Sequence, residues 1–282
     1  MCDSTLAIYC FIDDFLKASG HLEDSRVEVS DSEVITIAIS AMLHFGGNFE
    51  KSRLVLHQLG LIQRLLSRSR FSRRVNRLSD LIHKLFHQLG SVLKDLHWES
   101  RYVLDSFPVA LCDNIRINRC RIARDELYRG VMSSKRRYFY GVRVQILATS
   151  DGIPLEFCIL SGGCSDLQGL AELALDLPAA AQLFVDAGYN FYEWEDYLQE
   201  CENLKLQVPR KANSKRGREP WLEIYKSLVR KYIETTIGEI SELFSKKIHA
   251  TNLNGFLLKI VLFLFVYQID KAFIQQLATW VT

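Results

Sequence analysis

No pair of the seven cysteines has the C-x-x-C spacing, and the count is odd, so neither a disulfide frame nor a cysteine-based zinc site is indicated. They read as reduced thiols in a cytoplasm. The chain also lacks a charge excess. Its 35 Lys and Arg face 33 Asp and Glu, a net charge of +2, so any attraction to nucleic acid must be built locally. It lacks a membrane span as well: the most apolar run, Phe256 to Ile269, is interrupted by Lys259 and Gln268, whereas spanning needs about 20 apolar residues. That run predicts a buried core helix. The opening residues carry Asp13 and Asp14 within their apolar stretch and no basic segment before it, which argues against a secretory signal. There is no Walker-type loop, no G-x-S-x-G elbow and no Cys-His nucleophile pattern, so catalysis through a covalent intermediate has no support. No internal repeat or low-complexity tract is present, and nothing calls for an organic cofactor.

What is present is an ordinary globular composition, 48% hydrophobic and 24% charged over 282 residues, enough for two domains. Residues 1–97 read as all-helical. Ser30 to Glu33 forms an S-x-x-E capping box ahead of an apolar run that Gly46-Gly47 ends. Leu81, Ile82, Leu85, Phe86, Leu89, Val92, Leu93 and Leu96 make an apolar stripe at helical spacing. Between these helices, Arg64 to Arg77 holds six arginines in fourteen residues without an acid, among them Arg70, Arg73, Arg74 and Arg77. That cluster fits a solvated helix face and also a DNA-contacting helix of helix-turn-helix type.

From residue 98 to 282 the pattern turns to strands, Tyr102 to Leu111, then YFYGVRVQILATS and IPLEFCIL joined at Asp151-Gly152, which signals a tight two-residue hairpin turn. Helices near Asp166 to Leu175 and Tyr192 to Cys201 alternate with strands at Gln182 to Asp186 and LKLQV, and a long helix runs from about Trp221 to Phe244. The order β-β-β-α-β-α-β-α predicts an α/β (α+β) fold, a ribonuclease H-like mixed sheet flanked by helices, preceded by the helical amino-terminal domain.

Three acids stand at the elements that converge in such a fold. Asp105 interrupts an apolar strand, where a buried aspartate needs a special reason. Asp186 ends a strand before the small-residue turn Ala187-Gly188, and Glu234 lies in the long helix one turn after Arg230. Separations of 81 and 48 residues leave room for the intervening elements. Hard carboxylate oxygens clustered this way suit two-metal phosphoryl transfer. Asp113 reads as a turn residue, Asp166 as a helix N-cap. Glu239, five residues after Glu234, turns off its face.

Basic residues crowd the same region. Arg116, Arg119, Arg121, Arg124, Arg129, Lys135, Arg136, Arg137 and Arg143 precede or enter the second strand, where Tyr138, Phe139 and Tyr140 read either as core residues or as stacking platforms for unpaired bases. A second basic stretch from Arg210 and Lys211 to Arg218 leads to the helix carrying Arg230 and Lys231, either tracking a DNA backbone or forming a plain surface loop. His83 and His87 stand one helical turn apart, but Lys84 occupies the position where a metalloprotease has its glutamate.

The segments LDSFPVALCDNIRINRCR, SKRRYFYGVRVQ, FVDAGYN and RKYIETTIGEI closely resemble bacterial insertion-sequence transposases of the DDE superfamily, from about Tyr102 to the carboxyl terminus. The resemblance implies a ribonuclease H-like core whose acidic triad falls on Asp105, Asp186 and Glu234, with two Mg²⁺ or Mn²⁺ ions per active site. It implies binding to double-stranded DNA, both terminal inverted repeats and target, cleavage followed by strand transfer, a homodimer in the synaptic complex, and a bacterial, nucleoid-associated location without membrane contact. Some relatives carry Tyr, Arg, Glu and Lys on the last helix. Arg230 and Glu234 fit, whereas Ser227 and Ser241 stand at the Tyr and Lys positions. A hydrolysis-only nuclease and an inactive DNA-binding protein of the same fold are the alternatives.

Overall fold

The structure is a computed structural model that describes residues 1–132, 137–210, 214–217, 219–244 and 248–274. Contacts divide it into two compact units, one of Met1–Leu85 with the segment from Ile240 on, the other of Phe86–Glu239. Lys135, Arg136 and Lys211 lie outside the described residues, as does Arg218.

The first unit holds α1 (Cys2–Ala18), α2 (Asp31–Phe45), α3 (Phe49–Gln58), α4 (Arg68–Arg77) and the start of α5 (Ser79–Leu96). The capping box forms as the sequence predicts: Ser30 Oγ accepts from the Glu33 amide while the Glu33 carboxylate accepts from the Ser30 amide at 2.7 Å. Gly46 ends α2 in the left-handed conformation. Almost every side chain of α2 from Val34 to Met42 is buried, because α1, α3, α4 and a distant helix, α9 (Leu253–Ile269), pack around it. The apolar run at Phe256 to Ile269 is thus a core helix, and no helix among the described residues is long and apolar enough to cross a membrane. Lys259, which interrupts that run, donates from Nζ to the Gly47 carbonyl at 3.0 Å and lies over the Phe49 ring. Helix α9 therefore belongs with the amino-terminal helices. Sequence order alone had grouped it with the strands.

The second unit is built on a six-stranded mixed sheet. Its strands are β1 (Arg101–Cys112), β2 (Arg129–Met132), β3 (Arg137–Thr149), β4 (Pro154–Ser161), β5 (Gln182–Phe184) and β6 (Lys205–Gln207). The spatial order is β2-β3-β1-β5-β6, with β4 also paired to β3. β1 to β4 pair antiparallel, whereas β5 lies parallel to both β1 and β6. Helices α6 (Asp166–Glu172), α7 (Tyr192–Cys201) and α8 (Pro220–Leu243) follow in the expected order, and the whole has the ribonuclease H-like architecture. The strand β2 was not expected. It adds four residues beside the start of β3.

Two local details differ from the sequence reading, and a third decides between readings the sequence left open. The β3–β4 hairpin has a three-residue loop closed by the Thr149 amide on the Ile153 carbonyl, and of Asp151 and Gly152 only the glycine has positive φ, at 84°. That is a type I turn followed by a left-handed residue, not a two-residue primed turn. A side chain at Gly152 would also strike Thr236 of α8. The stripe on α5 is buried from Ile82 to Leu89 but exposes Val92 and Leu96. In that last turn the buried Lys94 instead pairs with the buried Glu156 of β4, whose other oxygen accepts from the Leu175 amide. Removing one partner of such a pair commonly costs about 3–5 kcal/mol because the other charge is left buried and unpaired, so the two residues must be kept together. Finally, Phe139 and Tyr140 are core residues, and only Tyr138 is exposed, at 66%.

Candidate active site

The pairing of β1 with β5 stops at Val103 opposite Phe184. Beyond that point the parallel strands part, and each carries an aspartate two residues past the last pair, Asp105 on β1 and Asp186 after β5. Because side chains alternate along a strand, both aspartates keep the face of their last paired residue, and both lie at the carboxyl end of parallel strands where a sheet opens a crevice. On β1 that face is held by Val103, Asp105 and Phe107, with Ile146 of β3 opposite Asp105. The other face, with Tyr102 and Leu104, belongs to a hydrophobic core cluster with Leu147, Leu170 and Tyr189.

Each carboxylate is fixed close to its own backbone. Asp105 Oδ1 accepts from the Ser106 amide at 2.7 Å, and Asp186 Oδ1 accepts from the Ala187 amide at 2.5 Å, capping the short 3-10 turn Ala187–Tyr189. Asp105 is partly buried, and burial pushes its carboxyl from an ordinary 3.8 up to about 6. The negative charges of Asp186 and Asp166 push the same way, while the Ser106 amide and Arg230 oppose them.

Helix α8 supplies the third acid through a cation. Arg230 reaches Asp186 Oδ1 at 3.2 Å and Glu234 Oε1 at 3.2 Å, joining the two acids by one guanidinium. Glu234 is otherwise exposed, and Glu239 stands off this face as the helical geometry requires. The structure thus brings Asp105, Asp186 and Arg230 together and connects Glu234 to them through Arg230. These are hard oxygen donors of the kind that bind Mg²⁺ or Mn²⁺, and Asp105 carries a charge that the Ser106 amide and Arg230 compensate only in part. Among the described residues, no group of three or more His, Cys, Asp or Glu is close enough to hold a metal ion. A guanidinium sits between two of the three acids.

The cations the sequence pointed to fall into two sets. Arg74 is committed to Asp31 and Glu23, and Arg210 is almost fully buried against Glu195, so neither presents a free charge. Arg70, Arg73 and Arg77 on α4, Arg119 and Arg121 in the excursion after β1, Arg137 on β3 and Lys231 on α8 are exposed. Arg116 is exposed too, 3.9 Å from Asp113. His87 stacks on Phe157 at 5.3 Å, and burial lowers its pKa.

Two residues beside the site have roles other than those the sequence suggests. Asp166 is not the cap of α6: Ser165 is, in a capping box with Gln168. Asp166 is thereby free to take Ser106 Oγ at 2.5 Å and Arg143 Nη1 at 3.0 Å on one carboxylate oxygen. The pattern Ser165-x-x-Gln168 was the available signal. Arg143 had been counted only as one of a basic run.

A ribonuclease H-like sheet with two aspartates at the carboxyl ends of neighbouring parallel strands places them where open α/β sheets bind their ligands. Residues 97–251, more than half of the chain, match the family described as Transposase DDE domain, and the chain belongs to that family. It is a DDE-superfamily transposase, an enzyme acting on DNA. No curated protein and no solved structure matches the chain.

Proposed function

We propose that the protein cleaves DNA at the ends of an insertion sequence and joins the resulting 3′ ends to target DNA, with Asp105, Asp186 and Glu234 as its catalytic carboxylates. The observation that carries this reading is the placement of Asp105 and Asp186 side by side, each two residues beyond the last β1–β5 pair, with Arg230 of α8 reaching Asp186. Asp105 and Asp186, completed by Glu234, would hold the Mg²⁺ or Mn²⁺ that the family normally uses, in a pair as the resemblance implies. When bound, such ions neutralise phosphate charge and activate the attacking oxygen for in-line displacement.

The chain's own groups set the stage for that chemistry. Asp105, fixed by the Ser106 amide and largely removed from water, attracts a cation more strongly than a solvated aspartate does. Arg230 bridges Asp186 and Glu234, and on turning toward a DNA phosphate it would release both carboxylates while keeping a bidentate donor at the strand. Arg70, Arg73 and Arg77, exposed on α4 without an acidic partner among the described residues, suit contact with the element's ends. Arg116, Arg119, Arg121, Arg137 and Lys231 suit backbone contacts nearer the cut. Because α9 packs on α2, the end-binding unit is residues 1–85 together with α9, and a fragment ending near residue 97 would expose the core face of α2. Joining both element ends to one target calls for two catalytic centres, hence a homodimer.

The test is incubation of the full chain with labelled duplexes bearing the element's ends, a target plasmid and Mg²⁺ or Mn²⁺. Products in which the 3′ ends are covalently joined to target are expected. Cleavage without joined product would favour the hydrolysis-only nuclease, and neither product with retained binding would favour the inactive DNA-binding protein.

A further inference from the structure

Behind the two aspartates, on the opposite face of the sheet, lies a polar frame inside the hydrophobic core. Ser106 follows Asp105, so its side chain points to the core face, opposite Gln145 in the β1–β3 register. Ser106 Oγ donates to Asp166 Oδ1 at 2.5 Å, and Arg143 Nη1 donates to the same oxygen at 3.0 Å and to Ser106 Oγ at 3.3 Å. Gln145, 0% exposed, donates from Nε2 to the Tyr189 hydroxyl oxygen at 2.7 Å and more weakly to the Asp166 carbonyl at 3.4 Å. Tyr189, 1% exposed, is the last residue of the 3-10 turn that Asp186 caps, and its amide donates to the Asp186 carbonyl at 3.1 Å. An unbroken chain therefore runs from Asp105 through Ser106, Asp166, Gln145 and Tyr189 to Asp186.

A core does not bury a glutamine and a tyrosine hydroxyl without cost, since each must be paired to break even. Helix α6 can approach Gln145 only because Gly169 has no side chain; a Cβ there would lie 1.6 Å from Gln145 Oε1. β1 and β5 share only three paired residues, all before the aspartates, so the sheet ladder itself does not hold Asp105 and Asp186 in mutual register.

We propose that Asp166, Gln145 and Tyr189 are positioning residues that lock Asp105 and Asp186 into one frame from behind the sheet, with Arg143 anchoring the Asp166 carboxylate. The proposal rests on the reading of Asp105 and Asp186 as the catalytic pair. Groups that hold metal-binding carboxylates in place typically change metal affinity or activity by about 10–100-fold when removed. In the full chain, Tyr189→Phe and Asp166→Asn are expected to lower the maximal cleavage rate by about tenfold or more while KM for the end duplex stays within about twofold, and to weaken Mn²⁺ binding, read by electron paramagnetic resonance of the free ion, by a similar factor. The double variant Gln145→Leu/Tyr189→Phe removes both partners of the buried bond together and keeps the test open if Asp166→Asn does not fold. A purely structural role would lower the melting temperature and leave maximal rate and Mn²⁺ affinity of the folded protein unchanged, which would overturn the proposal. Asp105→Ala, run alongside, separates the two levels: if it keeps the wild-type rate, the catalytic reading fails; if it is inactive while the frame variants match wild type, only the positioning role fails.

Discussion

Asp105→Ala, Asp186→Ala and Glu234→Ala are each expected to lower strand cleavage by at least about a thousandfold, equivalent to about 4 kcal/mol of lost transition-state stabilisation, while gel-shift affinity for the end duplex changes little. The separation follows from where the charges stand. The exposed cations on α4, on the excursion after β1 and at Lys231 are the groups proposed to meet phosphate, and none is an ion-pair partner of the three acids. Arg230 is the exception. Asp186→Ala and Glu234→Ala each remove one of its two acidic partners and leave the other, so these two variants should bind DNA as tightly as wild type or slightly more tightly. Cleavage and binding are measured on the same preparations. Wild-type cleavage in any one variant removes that residue from the site.

Asp105→Asn is expected to make the metal-free protein more stable at pH 7.5 by about 3 kcal/mol, or roughly 5–10 °C in melting temperature. The carboxyl lies near 6 in the fold against 3.8 ordinarily, chiefly through burial. A raised carboxylate favours the neutral form in the folded state. Its contribution to stability is therefore complete below about pH 4 and is lost as the pH rises through 6. Asparagine keeps the oxygen that accepts from the Ser106 amide and has no charge to lose. The advantage of the variant should accordingly vanish near pH 3.5. Thermal melts in chelator at the two pH values check this. Equal stability of wild type and variant at pH 7.5 would show that Asp105 ionises in the fold at no cost. A site that sacrifices stability for a charge it needs is what a catalytic carboxylate in a partly dry crevice requires.

Much of the catalytic unit could be read directly from the chain. The strands β3 and β4, the Ser30–Glu33 capping box and the length of α8 each depend on neighbours in sequence, and each was found where its pattern placed it, although β3 is buried almost throughout and not on alternate residues. Asp105 was conspicuous because an acid in an apolar strand contradicts propensity. What could not be read depends on partners far away in the chain. β2 is four residues containing a glycine, too short to show a period, and is a strand only because the edge of β3 is free to pair. Helix α9 is apolar all round, which says that it is buried but not against what; its place on α2 comes from packing that no local pattern encodes. Arg74 and Arg210 looked like DNA contacts because their acidic partners, Asp31 and Glu195, lie 43 and 15 residues away. Asp166 was taken for a cap because an aspartate opening a helix usually is one, and the Ser106 and Arg143 partners that claim its carboxylate become visible only when α6 is laid across the sheet.

The account turns on Asp105 and Asp186 forming one cation-binding centre, and the most direct measurement is the thermal melt of the full chain in Mn²⁺ against a monovalent salt of equal ionic strength. Binding to the folded state alone at 100 times the dissociation constant adds about 2.7 kcal/mol, several degrees for a domain of this size. Wild type should show that divalent-specific rise, and Asp105→Asn/Asp186→Asn should lose it. An identical response of the two proteins to Mn²⁺ would contradict the assignment of these aspartates as metal ligands and the catalytic reading built on it.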